Sequence, residues 1–219
     1  MKKTVRSQEI YLLDINDVSA LSRSEEYIEN SEDIVILLGN SKELRADTLL
    51  SGGERLADLK KQGETYAPVY VAHYSCASFL AFFIHSAKLI KRRFLVFGTN
   101  AYGAKLDDLL NKNLLRGIRT RENAYQWNNK RWKIPPEERE RRYQDLYDSM
   151  KQSGYDKKQP LIVCINRRLG VADQLLQGHH RIGICREMEI NDVCVTFSYY
   201  PKSFVFMKFF IPKKKKISE

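Results

Sequence analysis

The sequence predicts an α/β (α+β) chain, a mixed sheet with helices packed on it. Short apolar runs with strand character recur at Ile34–Leu38, Val69–Val71, Phe94–Phe97, Pro160–Ile165 and Val193–Phe197. Segments with helical spacing lie between them, and Gly, Asn and Ser punctuate the joins. Strand, helix and strand in alternation are the signature of a sheet that buries a face under helices.

Taken in order, Glu9–Leu13 alternates weakly and gives way to Asp14-Ile15-Asn16-Asp17, which suits a short strand entering a capped helix over about Val18–Asn30. Ile34–Leu38 reads as a fully buried strand closed by Gly39-Asn40-Ser41. Ser51-Gly52-Gly53 marks a loop before a helix over Glu54–Gln62, whose Leu56 and Leu59 share one face. A strand follows Pro68. Between Ser75 and Arg93, apolar residues fall almost all round a helical wheel, which predicts a deeply buried helix leading to the strand Phe94–Phe97.

Asp107–Leu115 is amphipathic, and the basic, aromatic stretch Arg116–Trp132 has no clean period and reads as a connecting loop or the wall of a site. Pro135-Pro136 can open a helix, since proline suits the first turn, and Glu137-Glu138 complement the positive end of its dipole. That helix is expected to reach about Gln152, with Tyr143, Leu146, Tyr147 and Met150 inward, and to stop before Gly154. Pro160–Ile165 and Gln174–Leu176 are strands, Ile182–Glu189 a helix and Val193–Phe197 a strand. Ser203–Ile211 reads as a terminal strand and Lys213–Lys216 as a basic tail.

At 219 residues, 43% hydrophobic and 29% charged, the chain can bury a core and is neither collagenous nor low-complexity. The longest apolar run, Cys76–Ala87, is far short of the ~20 residues a membrane helix needs. The N-terminus lacks the apolar stretch of a secretion signal, so a cytoplasmic location is expected. Cys76, Cys164, Cys185 and Cys194 form no Cys-x-x-Cys pair and read as buried thiols, with no cysteine metal site.

The net charge of +10 is unevenly spread. Residues 1–100 hold 13 Lys and Arg against 13 Asp and Glu, whereas residues 101–219 hold 24 against 14. The second half is therefore expected to meet something anionic, whether nucleotide phosphates, nucleic acid or an acidic surface, although a solvated basic face and the Lys213–Lys216 tail account for part of the excess.

The chemistry concentrates at Gly178-His179-His180-Arg181, where a strand runs straight into a helix N-terminus. Free backbone amides and the helix dipole favour an anion there, and glycine lets a ligand approach the backbone. Arg181 can bind phosphate through two N–H groups, and His179 and His180 can donate hydrogen bonds or move a proton near neutral pH. The same residues would also serve as a polar helix cap. Arg119 and Arg121 are candidates for further phosphate contacts, against the ordinary reading of solvated loop arginines. Tyr125, Trp127 and Trp132, interleaved with Arg121, Lys130 and Arg131, suit either a nucleic-acid surface or packing under a loop.

Gln159-Pro160-Leu161-Ile162-Val163, Leu175-Leu176-Gln177-Gly178-His179-His180-Arg181-Ile182-Gly183-Ile184 and Val193-Cys194-Val195, in that order after the Pro-Glu-Glu helix, resemble the ParB/sulfiredoxin superfamily. Within it the pattern is most similar to the free-serine kinase branch, whose motif is Asp-Gly-His-His-Arg. The resemblance covers about Ile134–Tyr200. It implies a ParB/sulfiredoxin-like mixed sheet with packed helices over residues 113–211, preceded by an α/β region over 1–112 and followed by a basic tail over 212–219.

It further implies a nucleotide-dependent phosphotransferase acting on a small hydroxylated acceptor, with ATP or ADP and Mg²⁺ as cofactors. Gly178, His179, His180 and Arg181 would hold the donor phosphates, with His180 also in the catalytic set, and Glu137 or Glu138 would act on the acceptor hydroxyl. Those two acids would equally be favoured by the helix dipole alone. His179 stands where sulfiredoxins carry their reactive cysteine, and Gln177 replaces the acid of the kinase branch. The rival readings are a ParB-like nucleotide-gated DNA-binding protein or nuclease, with nucleic acid as partner, and a non-catalytic scaffold.

Overall fold

The structure, a computed structural model, describes residues 3–39, 47–75, 96–111, 134–165 and 174–199. In chain order these form β1 (Lys3–Asp14), α1 (Ile15–Ser19), β2 (Arg23–Ile28), β3 (Ile34–Leu38), β4 (Asp47–Ser51), α2 (Gly53–Lys61), β5 (Tyr66–Ser75), β6 (Val96–Phe97) and β7 (Tyr102–Lys105). They continue as α3 (Leu106–Asn111), α4 (Pro136–Ser153), β8 (Leu161–Ile165), β9 (Gln174–Gln177), α5 (His179–Glu187) and β10 (Asp192–Tyr199). The helix expected between Ser75 and Arg93, most of the strand 94–97, the end of the segment 107–115, the stretch 116–132 with Arg119 and Arg121, and everything after Tyr199 lie outside the described residues.

The described strands form one mixed sheet of ten, in the order β2-β4-β3-β5-β1-β7-β10-β8-β9, with β6 beside β7 along the same edge of β10. β2·β4, β3·β5 and β10·β8 are parallel and the other pairs antiparallel, so the chain is an α/β fold as its alternation predicts. β3, Ile-Val-Ile-Leu-Leu, is buried on both faces, as an unbroken apolar strand should be.

The helices share a core. Val18 of α1, Leu56 and Leu59 of α2, Leu109 of α3, Tyr143 and Met150 of α4, and Ile182 and Ile184 of α5 all join Tyr11, Leu13, Ile36 and Phe197 of the sheet in one cluster. Val35, Leu37, Leu50 and Ala72 form a small second cluster on the opposite face.

The sheet is strongly curled. β5 and β10 are three strand spacings apart, about 14 Å along a flat sheet. Yet His73 of β5 stacks on Tyr199 of β10 with ring centroids 5.1 Å apart. Tyr11 of β1 likewise meets Phe197 of β10 at 4.9 Å.

Three expectations need correction. Helix α1 stops at Ser19, and Arg23–Ile28 is a strand rather than the continuation of a helix to Asn30. Its pairing with β4, begun by the bond from Leu49 N to Ser22 O, overrides local helix preference. Asp47–Ser51 is the strand β4, including Ser51, expected to open a loop, because pairing with β3 supplies partners that no local pattern announces. Pro68 lies inside β5 rather than before it; pairing with β3 begins only at Val69, so the missing proline N–H leaves no acceptor wanting on that side.

Candidate functional site

β9 is an edge strand that pairs antiparallel with β8 and delivers Gly178 beside the start of that strand. Gly178 has φ 103° and ψ 16°, in the left-handed region. A side chain there would be doubly excluded, since a Cβ would run into Leu161 Cδ2 and the backbone conformation disfavours any L-residue. Glycine is thus what allows β9 to turn tightly into α5.

No side chain caps α5. Its first intrahelical bond runs from Ile182 N to Gly178 O, so the amides of His179, His180 and Arg181 have no acceptor within the helix. They border a cleft of about 260 Å³ lined by Gln177, Gly178, His179, His180 and Arg181, with Leu146 and Leu176 as apolar walls. Polar side chains, a helix N-terminus and two leucines thus meet in one cleft, a combination chemically suited to an anion.

Neighbouring elements hold the site's side chains. Tyr143 of α4, 2% exposed, sets its ring edge-on to His180, with centroids 5.8 Å apart and planes at 85°. Its hydroxyl donates to Glu187 at the far end of α5 (3.3 Å), so one buried tyrosine braces both ends of that helix. Arg181 is half-buried and its Nη1 donates to Pro160 O at 3.4 Å, just before β8.

Behind Arg181 lie Tyr155 and Cys185. Burial pushes the Tyr155 hydroxyl up to about 12 and the Cys185 thiol up to about 11, with the guanidinium pulling both the other way. The Tyr155 hydroxyl donates to the carbonyls of Gln159 and Cys194, each at 3.2 Å. Arg181 therefore borders the cleft while its charge is shared with the packed interior.

The two acids predicted to act on an acceptor are placed differently. Glu137 and Glu138 occupy the first turn of α4, and neither lines the cleft. Leu146, which does, is eight residues beyond Glu138, about 12 Å along the axis at 1.5 Å per residue. Glu138 binds Arg141 and Arg142, each at 2.7 Å, and those guanidinium groups, Arg142 foremost, hold its carboxyl below the usual range.

The inward period of α4 did identify Tyr143 and Leu146 as packed residues, but nothing in their spacing links them to Gly178. Arg139 and Arg142 precede Tyr143 and Leu146 by four residues, which puts them one turn above on the same helix faces. His73 is buried in the core. Cys164, Cys185 and Cys194 are buried free thiols.

Among the described residues, no group of three or more His, Cys, Asp or Glu is placed to hold a metal ion. Among the same residues, no helix is long and apolar enough to cross a membrane. The lining of the cleft suits phosphate oxygens; for Mg²⁺ it offers the Gln177 side chain and no carboxylate, so these residues by themselves do not make a magnesium site. No protein-family model, curated protein or solved structure matches the chain.

Proposed function

We propose that the cleft at Gly178–Arg181 binds the phosphates of a nucleotide, ATP or ADP, and that the protein is a nucleotide-dependent phosphotransferase acting on a small hydroxylated acceptor. The observation that carries the reading is a cleft at the N-terminus of α5, where the helix dipole favours an anion, lined by Gly178 and by two histidines, an arginine and a glutamine. Phosphoryl transfer demands mainly positioned positive charge around the phosphates, and backbone amides, Arg181 and the histidines are the groups that supply it. The size fits the phosphate end of the ligand, since whole drug-sized ligands occupy about 300–1,000 Å³. The resemblance of Gly178-His179-His180-Arg181 to the free-serine kinase motif supports the same reading, with His180 as the group that moves a proton.

Two observations favour a second reading, a nucleotide-binding scaffold without catalysis. Glu138 is engaged by two arginines of its own helix, and Gln177 stands where the kinase branch carries an acid.

Calorimetric titration of the full chain with ATP, ADP, CTP and GTP, with and without Mg²⁺, tests the site. Binding of one nucleotide to the wild type, with at least tenfold weaker binding to His180→Ala and Arg181→Ala variants that melt normally, is the expected result. Equal affinity in both variants would remove the site assignment. Turnover of the bound nucleotide with a panel of hydroxylated acceptors then separates the kinase from the scaffold.

A further inference from the structure

The ten-stranded sheet has a weak line through it. β1 and β5 are paired from Lys3↔Ser75 to Asp14↔Tyr66, and β7 and β10 from Lys105↔Asp192 to Tyr102↔Val195. Between those two well-paired halves, β1 and β7 share a single register pair, Leu13↔Ala104.

Side chains bridge the line where the ladder is short, and four aspartates accept hydrogen bonds across it. Asp17 of α1 accepts from Gly103 N at 2.8 Å, and Asp108 of α3 accepts from Leu12 N at 3.0 Å. Asp192 of β10 accepts from the Tyr66 hydroxyl at 2.6 Å. Asp47 of β4 accepts from Thr99 N (3.2 Å), Asn100 N (3.1 Å) and the Tyr102 hydroxyl (2.9 Å). Six hydrogen bonds between residues 3–75 and residues 96–199 thus end on these four carboxylates, and Lys105 Nζ lies 4.7 Å from the Tyr66 ring centroid across the same line.

Their environments differ. The bonds of Asp17, Asp108 and Asp192 lie at exposed positions, where water competes for the same donors. Asp47 is 5% exposed, and on separation its carboxylate would regain the hydration that burial denies it. The inner side of the seam is closed by rings, Tyr11 on Phe197 and His73 on Tyr199, whose contacts are not directional like those of a ladder.

We propose that this seam is a cooperative joint, at which the two halves of the sheet open and close as units about Leu13–Ala104 with Asp47 as the principal latch. The cleft at Gly178 is built entirely from residues 146–181, so the joint is independent of the function proposed for it.

Native-state hydrogen exchange of the full chain, resolved by amide, tests it on Asp47→Asn, Tyr66→Phe and Tyr102→Phe. A joint requires effects away from the substituted contact. Each variant should speed exchange of Leu12 and Gly103, whose acceptors are the untouched Asp108 and Asp17, by roughly tenfold. Amides inside the β3–β5 and β8–β10 ladders should keep their rates. Acceleration confined to the partners of the substituted residue would overturn the joint and leave four independent contacts. If Asp47→Asn does not fold, the two tyrosine variants, which remove only a hydroxyl, decide between the same outcomes.

Discussion

The Tyr102 hydroxyl donates a 2.9 Å hydrogen bond to the Asp47 carboxylate, joining β7 to β4, strands that stand four places apart in the sheet. Burial pushes the carboxyl of Asp47 up, against the bonds from Tyr102, Asn100 and Thr99 that favour its charge, and the Tyr102 hydroxyl is also pushed up. Tyr102→Phe removes one donor and leaves two amides on the carboxylate, and should cost about 1 kcal/mol. Asp47→Ala leaves three donors without their acceptor and should cost about 2–3 kcal/mol. Urea denaturation of both variants measures the difference, and equal small losses would mean that water replaces the carboxylate freely.

Gly178→Ala should destabilise the fold and damage the cleft together. The left-handed backbone alone costs about 1–2 kcal/mol for a non-glycine residue. Gly63, with φ +80° and nothing within 4 Å of an added Cβ, is the control for that term. The excess loss at Gly178 over Gly63→Ala reports the collision with Leu161. Thermal melting of the two variants provides it, and no excess would mean that β8 yields without strain.

Acid stability should carry opposite contributions from two aspartates. Lys105, at 2.7 Å, and then Tyr66 hold Asp192 below its ordinary value. A depressed folded value adds stability above the unfolded value near 3.9 and loses it as pH falls. Asp47, shifted upward, does the reverse: its ionisation costs stability as pH rises from the unfolded value through the folded one. Asp192→Asn should flatten the loss of stability on acidification by no more than about 1 kcal/mol, the scale of exposed pairs. Asp47→Asn should steepen it. Urea midpoints between pH 7 and pH 3 decide both signs.

Thiol labelling should find the described cysteines inert. Cys185 is buried and its thiol lies near 11, and burial also raises that of Cys194. Reactivity follows the thiolate, so at pH 8 neither should react with iodoacetamide in the folded chain, nor should buried Cys164. All three should label in denaturant. Rapid native labelling of Cys185, mapped by mass, would contradict its packing behind Arg181.

Much of the fold was legible in the chain because its signals are local. The α4 helix runs from Pro136 to Ser153 and stops at Gly154, as proline, first-turn acids and glycine predict. Apolar runs gave β3, β8 and β10. β2 and β4 escaped because Arg-Ser-Glu-Glu-Tyr-Ile and Asp-Thr-Leu-Leu-Ser carry no clear alternation and became strands by pairing. The Gly178 turn was readable, since a glycine between a short strand and a helix has few other uses. The roles of Tyr143 and Leu161 around it were not, because they come from α4 and β8, elements whose distance from Gly178 no spacing encodes.

By itself the sequence determined the α/β class, the strand-to-helix step at Gly178-His179-His180-Arg181 and the excess of positive charge after residue 100. Each depends on residue type and short-range period, which operate within a few residues of chain. Only the tertiary structure decided that one curled sheet spans both halves, that Tyr143 and Leu161 stand around Gly178, and that Asp17, Asp47, Asp108 and Asp192 bridge the seam. Those outcomes depend on which strand finds which neighbour, and a carboxylate carries no mark of the distant amide or hydroxyl that folding will bring to it.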